Sequence, residues 1–371
     1  MESSVIEFIK SILVVSGIGV ILAFLLEIAY TFLGDYGERH IVINEEKDLV
    51  VNGGRSLLAS LMEEKIYIPS ACGGKGTCSY CKVRVLDGGG PVLPTETPYL
   101  SDEELHADVR LSCQVKVKED LEIEIPEELF RIKEFKSRVS RIKELTPDIK
   151  ELSLDILLPD EGITFKPGQY VQLEVPKYKG TKGPEYRAYS VASGADKPHS
   201  LVLAITKVPK GAVSTYVHNY LQEGDHLILR GPYGDFFLRE SDRDILLIST
   251  GSGLAPMMSI LRQIKSENIK RNATLFFGCR AMCDLYYINE IKDLEREIDN
   301  FTFIPTLSQP GEQELWKGET GRVTNLIEKH INKNSDIDAY LCGSPKMVDS
   351  CEELLLKKGV PEKNIYFDKF E

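Results

Sequence analysis

Three hydrophobic patterns succeed one another along the chain. Residues 5–34, VIEFIKSILVVSGIGVILAFLLEIAYTFLG, are mostly apolar and uncharged apart from Glu7, Lys10 and Glu27, and 16 uncharged residues run from Ser11 to Leu26. At ~1.5 Å per helical residue that run covers only about 24 Å. With Lys10 snorkelling and Ile28–Gly34 continuing beyond Glu27, roughly 20–25 residues are available to span a bilayer. No basic segment followed by a small-residue cleavage site precedes them, so a cleaved signal peptide fits poorly. The pattern predicts a retained transmembrane anchor over residues 1–34, with a buried or docking helix as the alternative.

A period of two follows. Ile41–Asn44 and Asp48–Val51 read as short strands, Ser56–Glu64 as a helix, KVRVL after Cys81 and Gln114–Ile125 as further strands. Strands curling around one helix predict a small β-grasp module over 35–129. Its insertion GGGPVLPTETPYLSDEELHADVRLSC carries turn signals and one acidic helical stretch around Ser101–His106. From Ser137 the runs RVSRIKEL, IKELSLDILL, GQYVQLEV, SLVLAITKV and DHLILRGPYG alternate and are parted by Pro and Gly, predicting an antiparallel six-stranded barrel over 130–240. The pattern changes again at Arg243. DRDILLISTGSGLAPMMSILRQIKS is an apolar strand, a glycine turn and a helix. ATLFFGCR, the helical DLYYINEIKDLEREI, FTFIPTLS, the helical VTNLIEKHI and DAYLCGSP then continue a β-α-β rhythm. Strands buried on both faces read as continuous apolar runs, so residues 241–371 are predicted to form an α/β domain with a parallel sheet. At 371 residues the chain is expected to be multidomain.

Cysteine spacing adds chemistry to the second segment. Cys72, Cys78, Cys81 and Cys113 are spaced C-x5-C-x2-C-x31-C, with glycines following Cys72 and at Gly76. Three clustered thiolates and one distant one resemble the plant-type [2Fe-2S] arrangement, although its usual first interval is four residues. A structural zinc site is the alternative, since four thiolates also bind zinc, but zinc sites usually pair two C-x2-C knuckles. The six histidines are scattered, which disfavours a Rieske centre. Four of eight cysteines in a metal pattern imply a reducing compartment rather than a disulfide scaffold. The net charge of −12 leaves no basic groove and excludes nucleic acid as a partner. From Asp35 to Glu128 there are 19 Asp/Glu against 10 Lys/Arg, a local −9 that would steer a basic protein or simply aid solubility.

Four further motifs concern nucleotides. In EYRAYSVAS, Arg187 is placed to meet a pyrophosphate, Tyr189 to pack on a flavin ring and Ser190 to donate near the flavin N5. In KGAVSTYVHN, Gly211 followed by Val213, Ser214 and Thr215 reads as a turn opening a helix that receives phosphate oxygen. In STGSGLAPM, Gly251, Gly253 and Pro256 follow the strand Ile245–Ser249, where glycines let a dinucleotide approach a helix N-terminus. Pro256 makes this only a partial Rossmann fingerprint. YLCGSPKM places Cys342 and Gly343 after another strand; Cys342 is a candidate neighbour of the nicotinamide or a buried small hydrophobe. NADH is expected over NADPH, because Arg280 has no second basic residue in the following AMCD and Asp284 would repel a 2'-phosphate.

The order of anchor, C-x5-C-x2-C module, R-x-Y-S barrel, G-x-G-x-x-P domain and C-G-x-P terminus resembles the F subunit of sodium-translocating NADH:quinone oxidoreductases along essentially the whole chain. The resemblance implies FAD on the barrel, NADH as hydride donor and single electrons passing through the [2Fe-2S] cluster toward other membrane subunits and a quinone. It assigns Cys72, Cys78, Cys81 and Cys113 to the cluster and Arg187, Tyr189, Ser190, Gly211 and Ser214 to FAD. Gly251, Gly253, Pro256, Cys342 and Gly343 would frame the nucleotide, and Phe370 would cover the flavin where nicotinamide enters. Nicotinamide gives two electrons and the cluster takes one, so a flavin must stand between them. Cytosolic nucleotide would place the large C-terminal part in the cytoplasm, below a single pass through the inner membrane. The alternatives are the reductase of a multicomponent oxygenase and a non-catalytic, zinc-binding membrane adaptor.

Overall fold

The structure is a computed structural model that describes residues 2–33, 36–311 and 315–370, with side chains of the first helix described from residue 10 to 25. That helix, α1 (Glu2–Leu33), has 32 residues, about 48 Å at ~1.5 Å each. Every described side chain on it is exposed, Leu13, Val15, Val20 and Phe24 by about two thirds. A helix apolar on all sides needs an apolar environment around it. Among the described residues no helix is long and apolar enough to cross a membrane. Glu27's side chain, Gly34 and Asp35, which bear on the expected anchor boundary, lie outside the described residues.

The chain, α1 included, divides into two compact units, residues 1–68 with 74–131 and residues 69–73 with 132–371. In the first, β1 (Glu38–Ile43), β2 (Lys47–Asn52), β3 (Lys82–Asp87), β4 (Val109–Leu111) and β5 (Leu121–Glu124) form a sheet in the order β2-β1-β5-β3-β4. The β1–β5 pair is parallel and its neighbours antiparallel, as expected of a β-grasp. Helix α2 (Leu57–Glu63) starts where the Ser56 hydroxyl accepts from the Ala59 amide, and it buries Leu57, Leu58 and Leu61 in the core of Ile41, Ile43 and Ile123. Helix α3 (Asp102–His106) is set by a Ser101–Glu104 capping box. The expected strand Gln114–Ile125 is shorter than its alternation suggests. Val115 and Val117 are buried, but beyond the bond from the Val115 amide to Leu111 at the end of β4 their backbones pair with Leu57 and Arg55 at the entry to α2.

In the second unit, β6 (Lys133–Glu144), β7 (Ile149–Leu158), β8 (Tyr170–Val175), β9 (Glu185–Ser190), β10 (Ser200–Thr206) and β11 (His226–Tyr233) form a six-stranded antiparallel sheet in the order β10-β7-β6-β11-β8-β9. Helix α4 (Ala212–Asn219) lies between β10 and β11. The edges β9 and β10 meet only through a bridge between Val191 and Leu203 and the Ala192 amide to the Val202 carbonyl at 2.8 Å. The sheet is therefore a half-open barrel, looser than the closed one expected. The following strands are all parallel: β12 (Asp244–Thr250), β13 (Ala273–Cys279), β14 (Phe301–Leu307), β15 (Glu319–Thr320), β16 (Ile337–Gly343) and β17 (Ile365–Lys369), in the order β15-β14-β13-β12-β16-β17. Helices α5 (Leu254–Ser266), α6 (Ile288–Glu297), α7 (Val323–His330) and α8 (Pro345–Lys357) cover its faces. Ile245 and Leu247 of β12 enter one core cluster, Leu246 and Ile248 the other. That two-sided burial is why these strands read as unbroken apolar runs. The order reverses at β12, and ligands of such sheets bind at the C-terminal strand ends beside that switch.

Candidate functional site

The segment between α2 and β3 carries Cys72, Cys78 and Cys81, and Cys113 stands two residues past β4. None of the eight cysteines is in a disulfide, and Cys78, Cys81 and Cys113 are buried while Cys72 is half-buried. Gly73, Gly74, Gly76 and Ser79 all adopt positive φ, a backbone that favours glycine and curls the chain within a few residues. At Gly76 a Cβ would lie 2.5 Å from the Gln114 side-chain amide nitrogen, so a larger residue would have to displace that amide. That amide donates to the Cys113 sulfur at 3.5 Å. The Ser112 amide and hydroxyl both donate to the Cys81 carbonyl, at 2.8 and 2.9 Å, so the segments before β3 and after β4 are locked together. A hydrogen bond with the Cys113 thiol, and then burial, push the Cys81 thiol well above its ordinary range; a metal at these sulfurs inverts that preference.

Among the described residues no group of three or more His, Cys, Asp or Glu is arranged to hold a metal ion. Of the four thiols expected to converge, Cys113 stands in hydrogen-bond contact with Cys81. Two sulfurs at each iron is how four cysteines hold a binuclear cluster, whereas zinc needs all four about one centre. Four free thiols, with Cys81 beside Cys113, match the donor set of a [2Fe-2S] cluster.

The insertion ending at Cys113 is organised by an ion pair that the sequence reading missed. Glu96 is fully buried, and Arg110 of β4 donates to it through Nη2 at 2.7 Å and Nε at 3.0 Å. The same guanidinium donates to the carbonyls of Gly89, Gly90 and Pro91. Burial alone would raise the Glu96 pKa; the Arg110 hydrogen bond and the Leu93 and Leu111 amides outweigh it, leaving the carboxyl below its usual range.

In the second unit a cleft of about 1160 Å³ runs along the C-terminal ends of the parallel strands and against the barrel. Of the expected residues it brings together Tyr189 and Ser190 of β9, Gly251 after β12, Gly343 at the end of β16, and Phe370. Burial raises the Tyr189 phenol, opposed by the Arg187 charge. The Ser190 hydroxyl is 3.4 Å from the Asp368 carboxylate of β17, and the Phe370 amide donates to the Gly343 carbonyl at 2.8 Å. Gly251 has φ +54° and open space where a Cβ would be, leaving the turn bare at the cleft. Its carbonyl accepts from the buried Tyr286 hydroxyl at 2.8 Å. Tyr286 likewise differs from its expected place in a helix, since α6 begins only at Ile288.

The other expected residues stand elsewhere. Gly253 serves packing, since a Cβ there would come 2.3 Å from the Cys342 carbonyl oxygen. Pro256 is buried in the first turn of α5, where proline costs no hydrogen bond. Cys342 lies in the core rather than on the cleft wall, its thiol pushed up by burial and then by the Asp368 charge. Val213 is barrel core. The Ser214 hydroxyl is engaged by the turn itself, accepting from the Val208 amide at 3.1 Å, and the Thr215 amide already donates to Gly211. What α4 offers an anion is therefore its first backbone amides. Arg187 donates to its neighbour's carbonyl at 2.6 Å and lies 3.6 Å from Glu185. A bare glycine turn, a phenol and a hydroxyl on one wall, and an aromatic ring on the cleft fit a flavin beside a pyridine nucleotide.

Comparisons with known proteins agree in order and extent. The 2Fe-2S iron-sulfur cluster binding domain family matches residues 41–118, the oxidoreductase FAD-binding domain family 136–238 and the oxidoreductase NAD-binding domain family 247–353. The F subunit of the Na(+)-translocating NADH-quinone reductase of Neisseria meningitidis is 35% identical over an alignment of 405 residues, covering 98% of this chain and 99% of the relative. The corresponding protein of Methylococcus capsulatus is 33% identical over 98% of this chain and 99% of its own. Among solved structures, the Amycolatopsis cytochrome P450 reductase GcoB superposes with a TM-score of 0.73 at 26% identity, covering 90% of this chain and 98% of its own. The ferredoxin reductase of carbazole 1,9a-dioxygenase gives 0.70 at 27% identity with the same coverages.

Proposed function

The chain belongs to the family of F subunits of Na(+)-translocating NADH-quinone reductases, and from that premise we propose that it takes hydride from NADH and delivers single electrons toward a membrane quinone reductase. The observation that carries this is the cleft, where Tyr189 and Ser190 of the barrel face Gly251 and Gly343 of the parallel sheet. Bound FAD would supply a centre able to exchange electrons both in pairs and singly, which a nicotinamide donor and a [2Fe-2S] acceptor together require. The protein's share is orientation. The bare Gly251 turn and the N-terminus of α5 receive the nucleotide pyrophosphate. Tyr189 packs on the flavin, Ser190 supplies a hydroxyl donor to its ring, and Phe370 covers the face that nicotinamide must reach. The first amides of α4 and Arg187 hold flavin phosphate oxygens. Cys342, being buried, acts by shaping the backbone that carries Gly343. Hydride transfer then depends on the stacking of two rings rather than on proton transfer by the protein. Cys72, Cys78, Cys81 and Cys113 hold the cluster, with Gln114 as a donor to Cys113.

The apolar helix α1 anchors the chain in the inner membrane in a single pass, with the large C-terminal part in the cytoplasm, and the acidic cluster-bearing segment meets partner subunits. A second reading, the reductase of an oxygenase, is favoured by the superposition on two such reductases. Its electrons would go to a soluble partner, leaving the exposed apolar helix without a role. Anaerobic titration of the detergent-solubilised chain with NADH, followed by absorbance and EPR, tests the proposal. Flavin bleaching accompanied by a reduced-cluster EPR signal is expected. A colourless zinc protein, or flavin reduction that never reaches a cluster, would overturn it. Reconstitution with membrane subunits separates the two acceptors.

A further inference from the structure

We propose that Tyr287 and Glu151 are positioning residues for hydride transfer: the hydrogen bond between them sets the barrel strand β7, and with it the flavin wall, against the glycine turn that receives the nucleotide. The inference rests on reading the cleft as the flavin and nucleotide site, and it assigns a task to two residues that do not line it.

Both residues sit at the seam between the barrel and the parallel sheet. Leu152 of β7 and Leu203 of β10 belong to the barrel core. Ile149 and Ala204 of the same strands face the other way, into the cluster that holds Met257, Ile260 and Leu261 of α5 and Leu294 of α6. Glu151 stands two residues past Ile149, which puts it on the same face of the strand, and it pairs directly with Ala204. It is thus a carboxylate in an apolar seam, where a polar group needs a partner. The partner is the Tyr287 hydroxyl, which donates to Glu151 Oε2. Burial, and then the Glu151 charge, hold the phenol above its ordinary range, so it keeps the proton it donates.

Tyr287 passes that bond to the nucleotide turn through its neighbour. Tyr286 donates to the Gly251 carbonyl at 2.8 Å, and the two tyrosine rings pack with centroids 5.0 Å apart. Consecutive hydroxyls therefore hold the barrel on one side and the turn on the other. Tyr287 does so at φ +57°, a left-handed backbone that aromatic residues seldom adopt and that persists where surrounding contacts impose it. A second tie runs the same way. Ala192 and Ser193 follow β9, the strand of Tyr189 and Ser190. The Ala192 carbonyl accepts from Arg262, and the Ser193 carbonyl accepts from the Ser259 hydroxyl at 2.6 Å. Both donors are on α5, the helix that opens from the glycine turn. Arg262 also pairs with Glu290 of α6, three residues past Tyr287. The strand with the flavin contacts and the turn with the nucleotide contacts are thereby fixed at two points. Transfer between stacked rings depends steeply on their separation, so loosening one point lowers the rate before it lowers affinity.

The test is anaerobic stopped flow of the full flavin-loaded chain with NADH. Tyr287→Phe keeps the ring and removes only the bond. Its limiting rate of flavin reduction should fall about tenfold, while the NADH concentration for half-saturation changes less than about twofold. The long-wavelength charge-transfer absorbance of stacked nicotinamide and flavin should weaken with the rate. Glu151→Leu should match it, and the double variant should be no slower than either single one, since both remove the same bond. Glu151→Gln keeps an acceptor oxygen and should recover most of the rate. A native limiting rate and charge-transfer band in Tyr287→Phe would overturn the inference, as would Glu151→Gln being as slow as Glu151→Leu. So would a slower rate that comes with lost FAD or a lowered unfolding midpoint and an unaltered band, which marks a contact that only stabilises the fold. Each of these results leaves the proposed function standing, whereas failure of NADH to reduce the flavin of the native chain would count against both.

Discussion

The cysteine loop and the nucleotide cleft are built in opposite ways. The loop draws three of its cysteines from ten consecutive residues, 72–81, and its shape comes from backbone signs at Gly73, Gly74, Gly76 and Ser79. The cleft draws Tyr189, Gly251, Gly343 and Phe370 from across the final half of the chain, and strand order alone makes them neighbours. A site of the first kind can be lost by changing one residue without disturbing the second. A site of the second kind fails gradually, as the packing that aligns its strands is loosened.

The largest effect expected is Cys81→Ser. Cluster absorbance and the reduced EPR signal should vanish, while NADH oxidation with ferricyanide as acceptor persists because the cleft is intact. If hydride acceptance falls in parallel, the two regions are not separable and the comparison is wrong. Arg110→Ala comes next. It leaves Glu96 buried without its partner, a defect that typically costs about 3–5 kcal/mol, and chemical denaturation followed at the cluster should register it.

The same pair predicts an acid response. The folded Glu96 pKa lies below its ordinary value, so its stabilisation is complete above the unfolded value of about 4.3. It is lost as pH falls through the lowered folded value. Cluster absorbance should therefore decline in that window, and Glu96→Gln should flatten the pH dependence; an unchanged slope would remove Glu96 from the account.

In the cleft, Gly253→Ala puts a methyl 2.3 Å from the Cys342 carbonyl oxygen. A backbone neighbour cannot swing aside, so about 2–3 kcal/mol of destabilisation is expected, read as a shifted unfolding midpoint with weakened nucleotide binding. Wild-type stability in this variant would show that the glycine turn and β16 do not approach as closely as they do here. The smallest effect belongs to Ser190→Ala. Losing one hydroxyl donor should slow flavin reduction roughly three- to tenfold at unchanged FAD content, and an unaltered stopped-flow rate would dismiss that role.

Hydrophobic periodicity was sufficient for the order of modules, because a strand buried on one face must alternate and a strand buried on both cannot. The split of β12 between two core clusters bears this out. Periodicity overextended the strand in Gln114–Ile125, where only Leu121–Glu124 forms β5 while Val115 and Val117 pair with the entry to α2. It also misread the stretch before Ile288, where Tyr286 is buried for its hydroxyl contact with the Gly251 carbonyl and not as part of a helical stripe. Cys342 carried no local signal to distinguish a wall residue from a core one. Its neighbour Gly343 reaches the cleft, and which of two adjacent residues does so is a matter of pleat and packing.

By itself the sequence determined the succession of anchor-like helix, cysteine-bearing module, barrel and parallel sheet, together with the four cysteines and the glycine turn after β12. These depend on residue type and on spacing within short stretches. Only the tertiary structure decided that Arg110 and Glu96 close the insertion ending at Cys113, that the Tyr286 hydroxyl holds the Gly251 carbonyl, and that Tyr189 and Ser190 share a cleft with Gly251 and Gly343. Lateral neighbours in a parallel sheet are set by how the crossover helices order its strands, and that order leaves no mark in the local spacing of the residues it brings together.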